Sequence, residues 1–561
     1  MLRLSKGLRC EKVYLFALRE RRRSCIAQFS DRKINFGTSE RHVLVSKTRG
    51  EPSMSTNLKE ALCEKIPVHH DLLRNFRLYF GPSVVSQITV ENLYTGLNDI
   101  VYRGLTIPEV IALLPREGNS PSAEAVFWLL LTGDVPTQQQ TASLIADWTL
   151  RRKKCTEWWS GPRGETIASV LRSMPETITP LHRLSIALTI FNISKQTREA
   201  KKHGAMPYTY WEYIYEDGME FLATLPAILG LIAKGQTLTN VSGDGDWVQF
   251  LLDCLRNESL DSRKSSIADF LRLYITLNAD DDGGAPIAHV TQILGSTDLH
   301  INEVLASTVL AHIEEPKSGT MLEWKKLQTK IKNTLGRTWT EHALQTCVLN
   351  LLSRDKLIGY KQADFCDPRY TALLHYAKQH LPNNSEVKKI QAIKLKTSQL
   401  SEDITQILRT ALRRPKRKDI YPEQNALAPV IFQYYGLEDM RFNQMILYMA
   451  RTLGAIASII WTKIVNAPIE HPISSCTYNY VESVCDNGTK NRKQTVSNGA
   501  TPRLTRLLLD KTGTLGACSS TVVNSKKEEL ASKGHGRGSY REIHQRTELT
   551  EGRRRERSKE I

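Results

Sequence analysis

The sequence has no Cys-x-x-Cys pair and no Cys/His cluster at metal-ligand spacing; its ten cysteines are scattered. Structural zinc and a disulfide framework are therefore not expected, and a reducing compartment suits the chain better. Long apolar runs are missing as well. The best candidate, Thr452–Trp461, is closed by Arg451 and Lys463. It is about half the length a membrane-spanning helix needs, so no span is expected. The body also lacks a basic face. The formal charge is +17, but residues 1–53 hold 13 Lys/Arg against 5 Asp/Glu, and residues 491–561 hold 16 against 8. Each tail carries +8, which leaves about +1 between them. Nucleic acid is thus not an expected partner of the body. Strand-like alternation is scarce too.

Helical patterning is what the sequence does have. With 561 residues, 41% of them hydrophobic, the chain can bury a large core and form more than one domain. Val126–Leu131 predicts an apolar helix stopped by Gly133. Leu184–Ile193 and Phe221–Ala233 predict two more, the second interrupted by Pro226. Ser266–Leu277 shows the helical period, with Ser265 or Ser266 as N-cap. Phe442–Val465 predicts a long helix. The expected body is all-α, with function at helix ends and in the loops between them.

The ends differ from the body. Residues 1–30 are basic, acid-poor and weakly amphipathic, and lack the apolar core of a secretory signal. They read as an organellar transit segment, with a disordered basic arm as the alternative; Met54 could also start the protein. After about Lys490, Ser, Gly, Arg, Lys and Glu dominate. Such a composition buries too little apolar surface to order itself. Asp510–Thr514 (DKTGT) matches the phosphorylated pentapeptide of P-type pumps. The α/β domain and membrane helices that chemistry needs are absent from the pattern, so the match is a coincidence.

Two loops carry candidate chemistry. Gly359–Tyr370 runs from a Gly turn into Asp367-Pro368 and then presents Arg369. A fixed guanidinium fork suits a carboxylate; a solvated Arg is the plainer alternative. Residues 411–418 (ALRRPKRK) are basic. They read either as a solvated charge run or as a loop in which Lys416, Arg417 and Lys418 hold phosphates of a nucleotide-like cofactor.

Several blocks, in order and spacing, resemble the citrate synthase family of the eukaryotic mitochondrial type. They include Ser55–Ala61 (STNLKEA), Gln87–Val90 (QITV), Tyr102–Pro108 (YRGLTIP), Phe127–Gly133 (FWLLLTG) and Tyr210–Asp217 (YWEYIYED). Asp367–Thr371 (DPRYT), His380–Asn383 (HLPN), Gln433–Gly436 (QYYG) and Arg451–Gly454 (RTLG) continue the series. The resemblance covers roughly residues 55–480. It implies a two-domain helical fold with the site in the cleft: a basic transit segment over 1–53, a large domain over 54–318 and 431–480, a small domain over 319–430, and a basic disordered tail over 481–561. It implies a homodimer in the mitochondrial matrix, with a heterodimer with an active citrate synthase as an alternative. It also implies the family reaction, in which acetyl-CoA and oxaloacetate give citrate and CoA. CoA would then be a substrate, with no cofactor held permanently and no metal.

Carried over residue by residue, the carboxylate holders persist as Arg369 and Arg451. The chemical positions do not. Ser318 stands where the enol-stabilising His belongs. The ketone-polarising His is replaced by Tyr360 or Lys361, depending on where a one-residue gap falls. The family's Val-Asp-Ala-His reads Gln424-Asn425-Ala426-Leu427, so Asn425 replaces the base. Asp281 replaces a substrate-binding His, His471 the last substrate Arg, and Asp364 a cofactor-phosphate Arg. Losing a general base typically costs roughly 10²–10⁴-fold, and losing an oxyanion donor roughly 10²–10³-fold. A carboxylate at 281 would also repel a dicarboxylate. The resemblance therefore implies a catalytically inactive or strongly impaired relative. The alternative is an active citrate synthase, or an altered acyl-CoA condensing enzyme with relocated groups. Asp280–Asp282 reads as a charged helix end, with a cation site as the alternative. His312 would lie on another face from Ser318, and His289 reads as a core residue.

Overall fold

The computed structural model describes residues 51–80, 93–96, 99–191, 195–206, 208–255, 264–280, 285–313, 321–336, 360–363, 366–381 and 419–467, with a few isolated positions besides. Residues 1–50 of the expected transit segment, the basic loop 411–418 and residues 471–561 lie outside them. In chain order the helices are α1 Leu58–Phe80, α2 Ile107–Leu113, α3 Ala123–Thr132, α4 Gln138–Lys154, α5 Glu157–Ser160, α6 Pro162–Ser173, α7 Pro180–Ile190, α8 Lys195–Lys202 and α9 Tyr210–Lys234. They continue with α10 Trp247–Leu255, α11 Lys264–Leu277, α12 Pro286–Gly295, α13 Ile301–Ile313, α14 Met321–Leu335, α15 Pro368–His380, α16 Ala428–Tyr434 and α17 Met440–Ile464. The strands are short: β1 Leu93–Gly96, β2 Asp99–Tyr102, β3 Leu105–Thr106, β4 Arg116–Glu117, β5 Ser120–Pro121, β6 Tyr360–Ala363 and β7 Asp419–Pro422. They pair antiparallel as β1-β2-β3, β4-β5 and β6-β7. The body is all-α, as expected.

Local chemistry explains most element ends. The Ser122 hydroxyl accepts from Ala125 N and starts α3; Gly133, at φ +81°, ends it. That is the predicted helix with one more turn in front. Every residue of α3 is buried, as befits a helix apolar all round. Arg103 and Gly104 both have positive φ and join β2 to β3, as a two-residue type I′ hairpin turn requires. Thr106 then forms a capping box with Glu109 and opens α2.

Three sequence expectations need correction. Pro226 does not interrupt α9, which runs on to Lys234. A proline strands the carbonyl four residues back, here that of Leu222. The Trp247 indole N–H donates to it at 2.6 Å, and Arg152 Nε donates to the next carbonyl, Ala223, at 3.1 Å. Ser265 and Ser266 do not cap α11, because it already begins at Lys264. His289 is exposed: Ile287 and Thr291 face the core, and a residue between them points away.

The core centres on α9 and α17. They cross closely at Gly218, where a Cβ would lie 3.0 Å from Ile456 Cγ2. Trp461 Nε1 donates to Leu131 O at 2.7 Å and ties α17 to α3. By length and composition α17 could cross a membrane, which its central ten residues alone did not suggest; its most apolar stretch is entirely buried in the fold.

Candidate functional site

Arg451 projects from α17 and is 7% exposed. Its guanidinium donates to the backbone carbonyl of Asp280, just beyond the end of α11. One turn along α17, Gly454 N donates to Ala279 O at 2.9 Å. A Cβ at 454 would collide with the Asp280 side chain, so the glycine is what lets this segment lie against α17.

Arg369 is the second residue of α15. Its helix starts at Asp367, whose carboxylate caps Arg369 N at 2.9 Å. The same carboxylate accepts from Arg369 Nε at 3.1 Å and from Nη2 at 2.9 Å. The sequence reading gave this fork a carboxylate ligand; the carboxylate it holds here is the chain's own Asp367. The Arg stands on a helix N-terminus, and its Asp-Pro opens that helix. Tyr360–Ala363, expected as the turn before it, form strand β6.

Two phenols join the arginines. Tyr102 closes β2 and is 1% exposed; Tyr274 lies in α11 and is fully buried. Burial raises both phenols above their ordinary range, and Arg451 and Arg369 partly oppose that shift in each. Both tyrosines therefore lie within electrostatic reach of both arginines. The backbone of Asp280 also acts against the burial shift of the Tyr102 phenol. The Tyr274 hydroxyl has no hydrogen-bond partner among the described residues.

Asn425 sits in a 3₁₀ turn, Gln424–Ala426, between β7 and α16. Its Oδ1 is buried and has no partner among the described residues. Its neighbour Gln424 donates from Nε2 to Asn278 Oδ1 at 2.7 Å, and Asn278 Nδ2 donates to Tyr274 O at 2.8 Å. The antiparallel register sets Tyr360 opposite Pro422, which brings the backbone of 360 and 361 to the strand before Asn425. Of the other candidates, Ser318, Asp281, Asp364, Lys416, Arg417, Lys418 and His471 lie outside the described residues. Among those described, no group of three or more His, Cys, Asp or Glu could hold a metal.

Sequence reasoning missed Tyr102, Tyr274, Asn278 and Gln424. Tyr102 stands in one of the matched blocks, and Gln424 beside the substituted base. Nothing in the sequence links them, because helix packing alone brings residues 278 and 424 together.

The sequence matches the profile described as "Citrate synthase, C-terminal domain" over residues 79–473. It is 28% identical to the protein named "Citrate synthase, mitochondrial" of Xiphias gladius over 458 residues, 76% of this chain and 92% of that one. In fold it is similar to the crystal structure of citrate synthase from Pyrobaculum aerophilum. That alignment has a TM-score of 0.51 and 17% identity, and covers 69% of this chain and 88% of the other.

Proposed function

Because this chain belongs to the citrate synthase family, we propose that it keeps the family's carboxylate-holding frame and has lost most or all of the condensation chemistry. The observation that carries this reading is Asn425. It lies in the turn packed against α15, and by the family resemblance it carries an amide at the position of the base. An amide has no lone pair basic enough at neutral pH to take the acetyl methyl proton. The frame's support is Arg369 and Arg451, both largely buried and both already engaged with oxygen acceptors. Substituted positions 318, 360 or 361, and 281 weigh in the same direction.

On this reading the chain works as a homodimer in the mitochondrial matrix and binds oxaloacetate-like or CoA-like small molecules. The mitochondrial relative and the basic residues 1–30 support that address. A free-thiol assay with acetyl-CoA and oxaloacetate tests the loss of chemistry. Turnover at least about 100-fold below an ordinary family member is expected, the low end of what one missing base or donor costs. Turnover within that margin overturns the reading in favour of an active enzyme with relocated groups.

A further inference from the structure

A carboxylate, a hydroxyl and an imidazole are joined where α8, α9 and the turn before α13 meet. Asp217 of α9 and Thr197 of α8 are fully buried; His300, just before α13, is partly exposed. Thr197 Oγ1 lies 2.7 Å from Asp217 Oδ2 and 3.1 Å from His300 Nδ1. The backbone N–H groups of Gln196 and Thr197 also donate to the carboxylate, both at 3.0 Å. None of these residues belongs to the arginine frame.

The chemistry of the three groups fixes the direction of their hydrogen bonds. An ionised carboxylate can only accept, so the Thr197 hydroxyl points its proton at Asp217. Oγ1 then turns a lone pair to His300, and Nδ1 carries the ring proton that donates to it. Nε2 is left as the ring's acceptor. With Asp217 protonated the directions reverse. Of the three groups on the carboxyl only the hydroxyl can also accept, so the new proton lies on Oδ2 and points at Oγ1. The hydroxyl turns to Nδ1, which accepts, and the ring proton sits on Nε2.

The surroundings favour a neutral ring and a carboxyl that titrates. Burial and Lys201 disfavour the His300 cation; Arg198 adds to this and Glu303 of α13 opposes it. Burial raises the Asp217 carboxyl to about 6, with Glu220 adding to the rise and the donors from Gln196 and Thr197 opposing it. The Tyr210 phenol lies within electrostatic reach of Asp217 and of Asp298. Lys201 and, from α17, Lys463 flank the Tyr210 ring at 5.9 and 6.0 Å. The carboxyl therefore changes charge at a residue with no exposed surface.

We infer that His300 and Thr197 form a proton relay between solvent and Asp217, and that the tautomer of His300 records the protonation state of that carboxyl. A proton from solvent forms the Nε2–H bond. The Nδ1–H bond breaks as a new O–H bond forms on Oγ1, and the original Oγ1–H bond breaks as its proton passes to Oδ2. One proton enters and one carboxylate is neutralised. The imidazole ends neutral, with its proton moved from Nδ1 to Nε2, and the outer ring nitrogen changes from acceptor to donor.

Ring-nitrogen NMR on the full-length chain, isotopically labelled at histidine, tests this; His300→Gln identifies the signals by their loss. The ring should carry a single proton on Nδ1 at about pH 7.5 and on Nε2 at about pH 5, either side of the Asp217 titration. Thr197→Ser keeps the hydroxyl and should keep the exchange. Thr197→Val, of the same shape without the hydroxyl, should abolish it. Circular dichroism checks that the Val variant is folded, and the wild-type comparison stands without it. An unchanged tautomer, an imidazolium at about pH 5, or an exchange that survives in folded Thr197→Val overturns the inference.

Discussion

The indole N–H of Trp247 donates to the carbonyl of Leu222, the acceptor that Pro226 strands within α9. A side chain from the next helix thus replaces a missing backbone donor. Trp247→Phe should cost about 1–3 kcal/mol beyond its packing loss, the price of an orphaned buried carbonyl. In a Pro226→Ala background the backbone N–H returns and the same substitution should cost less. A double-mutant cycle in urea measures the coupling; additive effects would refute the relationship.

Gly454→Ala should disturb the site and the fold together. The new methyl meets the Asp280 side chain close to its root, where rotation gives little relief. Displacing Asp280 moves the carbonyl that Arg451 holds. A stability loss of about 1–3 kcal/mol is expected from the overpacking. Binding of a dicarboxylate should weaken as well, read by calorimetry. An unchanged affinity would mean that Asp280 does not set the position of Arg451.

Asp246 and Arg272 form a buried ion pair at 2.6 Å, with Asp269 on the second nitrogen at 3.3 Å. Asp246→Ala should cost about 3–5 kcal/mol, because it leaves a buried cation short of a partner. Replacing both, as Asp246→Leu with Arg272→Met, should cost less than the single change. Chemical denaturation of the three variants decides this. A double variant worse than the single one would assign the pair a net favourable role.

Asp217 predicts a pH dependence. Burial raises its carboxyl to about 6, although Gln196 N, Thr197 N and the Thr197 hydroxyl all donate to it and favour the ionised form. The folded chain therefore holds a proton there that the unfolded chain releases near pH 4. Stability from this group is present below pH 4 and is lost as the pH rises toward 6. The loss is on the order of 3 kcal/mol, from a shift of about two units. Asp217→Asn should flatten that slope, measured by denaturant unfolding at pH 4 and pH 6.5. An equal slope in the variant would exclude Asp217 as its source.

Sequence alone reached the fold because its strongest signals are local. Gly133 ends α3 as its left-handed preference dictates, and the apolar period of α17 spans the whole helix. It failed where a distant residue changes the local outcome. Pro226 reads as a break until Trp247 satisfies the stranded carbonyl. His289 reads as core until the packed face of α12 is known. The site was legible where a motif carries its own geometry, as Asp367 does for Arg369. It was illegible in the Asn278–Gln424 contact, which joins residues 146 apart.

The place of α17 in the chain governs when the protein can fold. It is the last described helix, yet Tyr448 hydrogen-bonds Leu305 O across 143 residues and Trp461 reaches Leu131 O across 330. A ribosome releases this segment after everything it packs against. Until then the nascent chain has apolar walls with nothing between them, so folding waits until α17 has been made and must close very large loops, which is slow. The growing chain therefore depends on protection from aggregation for most of its synthesis, and a version truncated before Met440 would never leave that state.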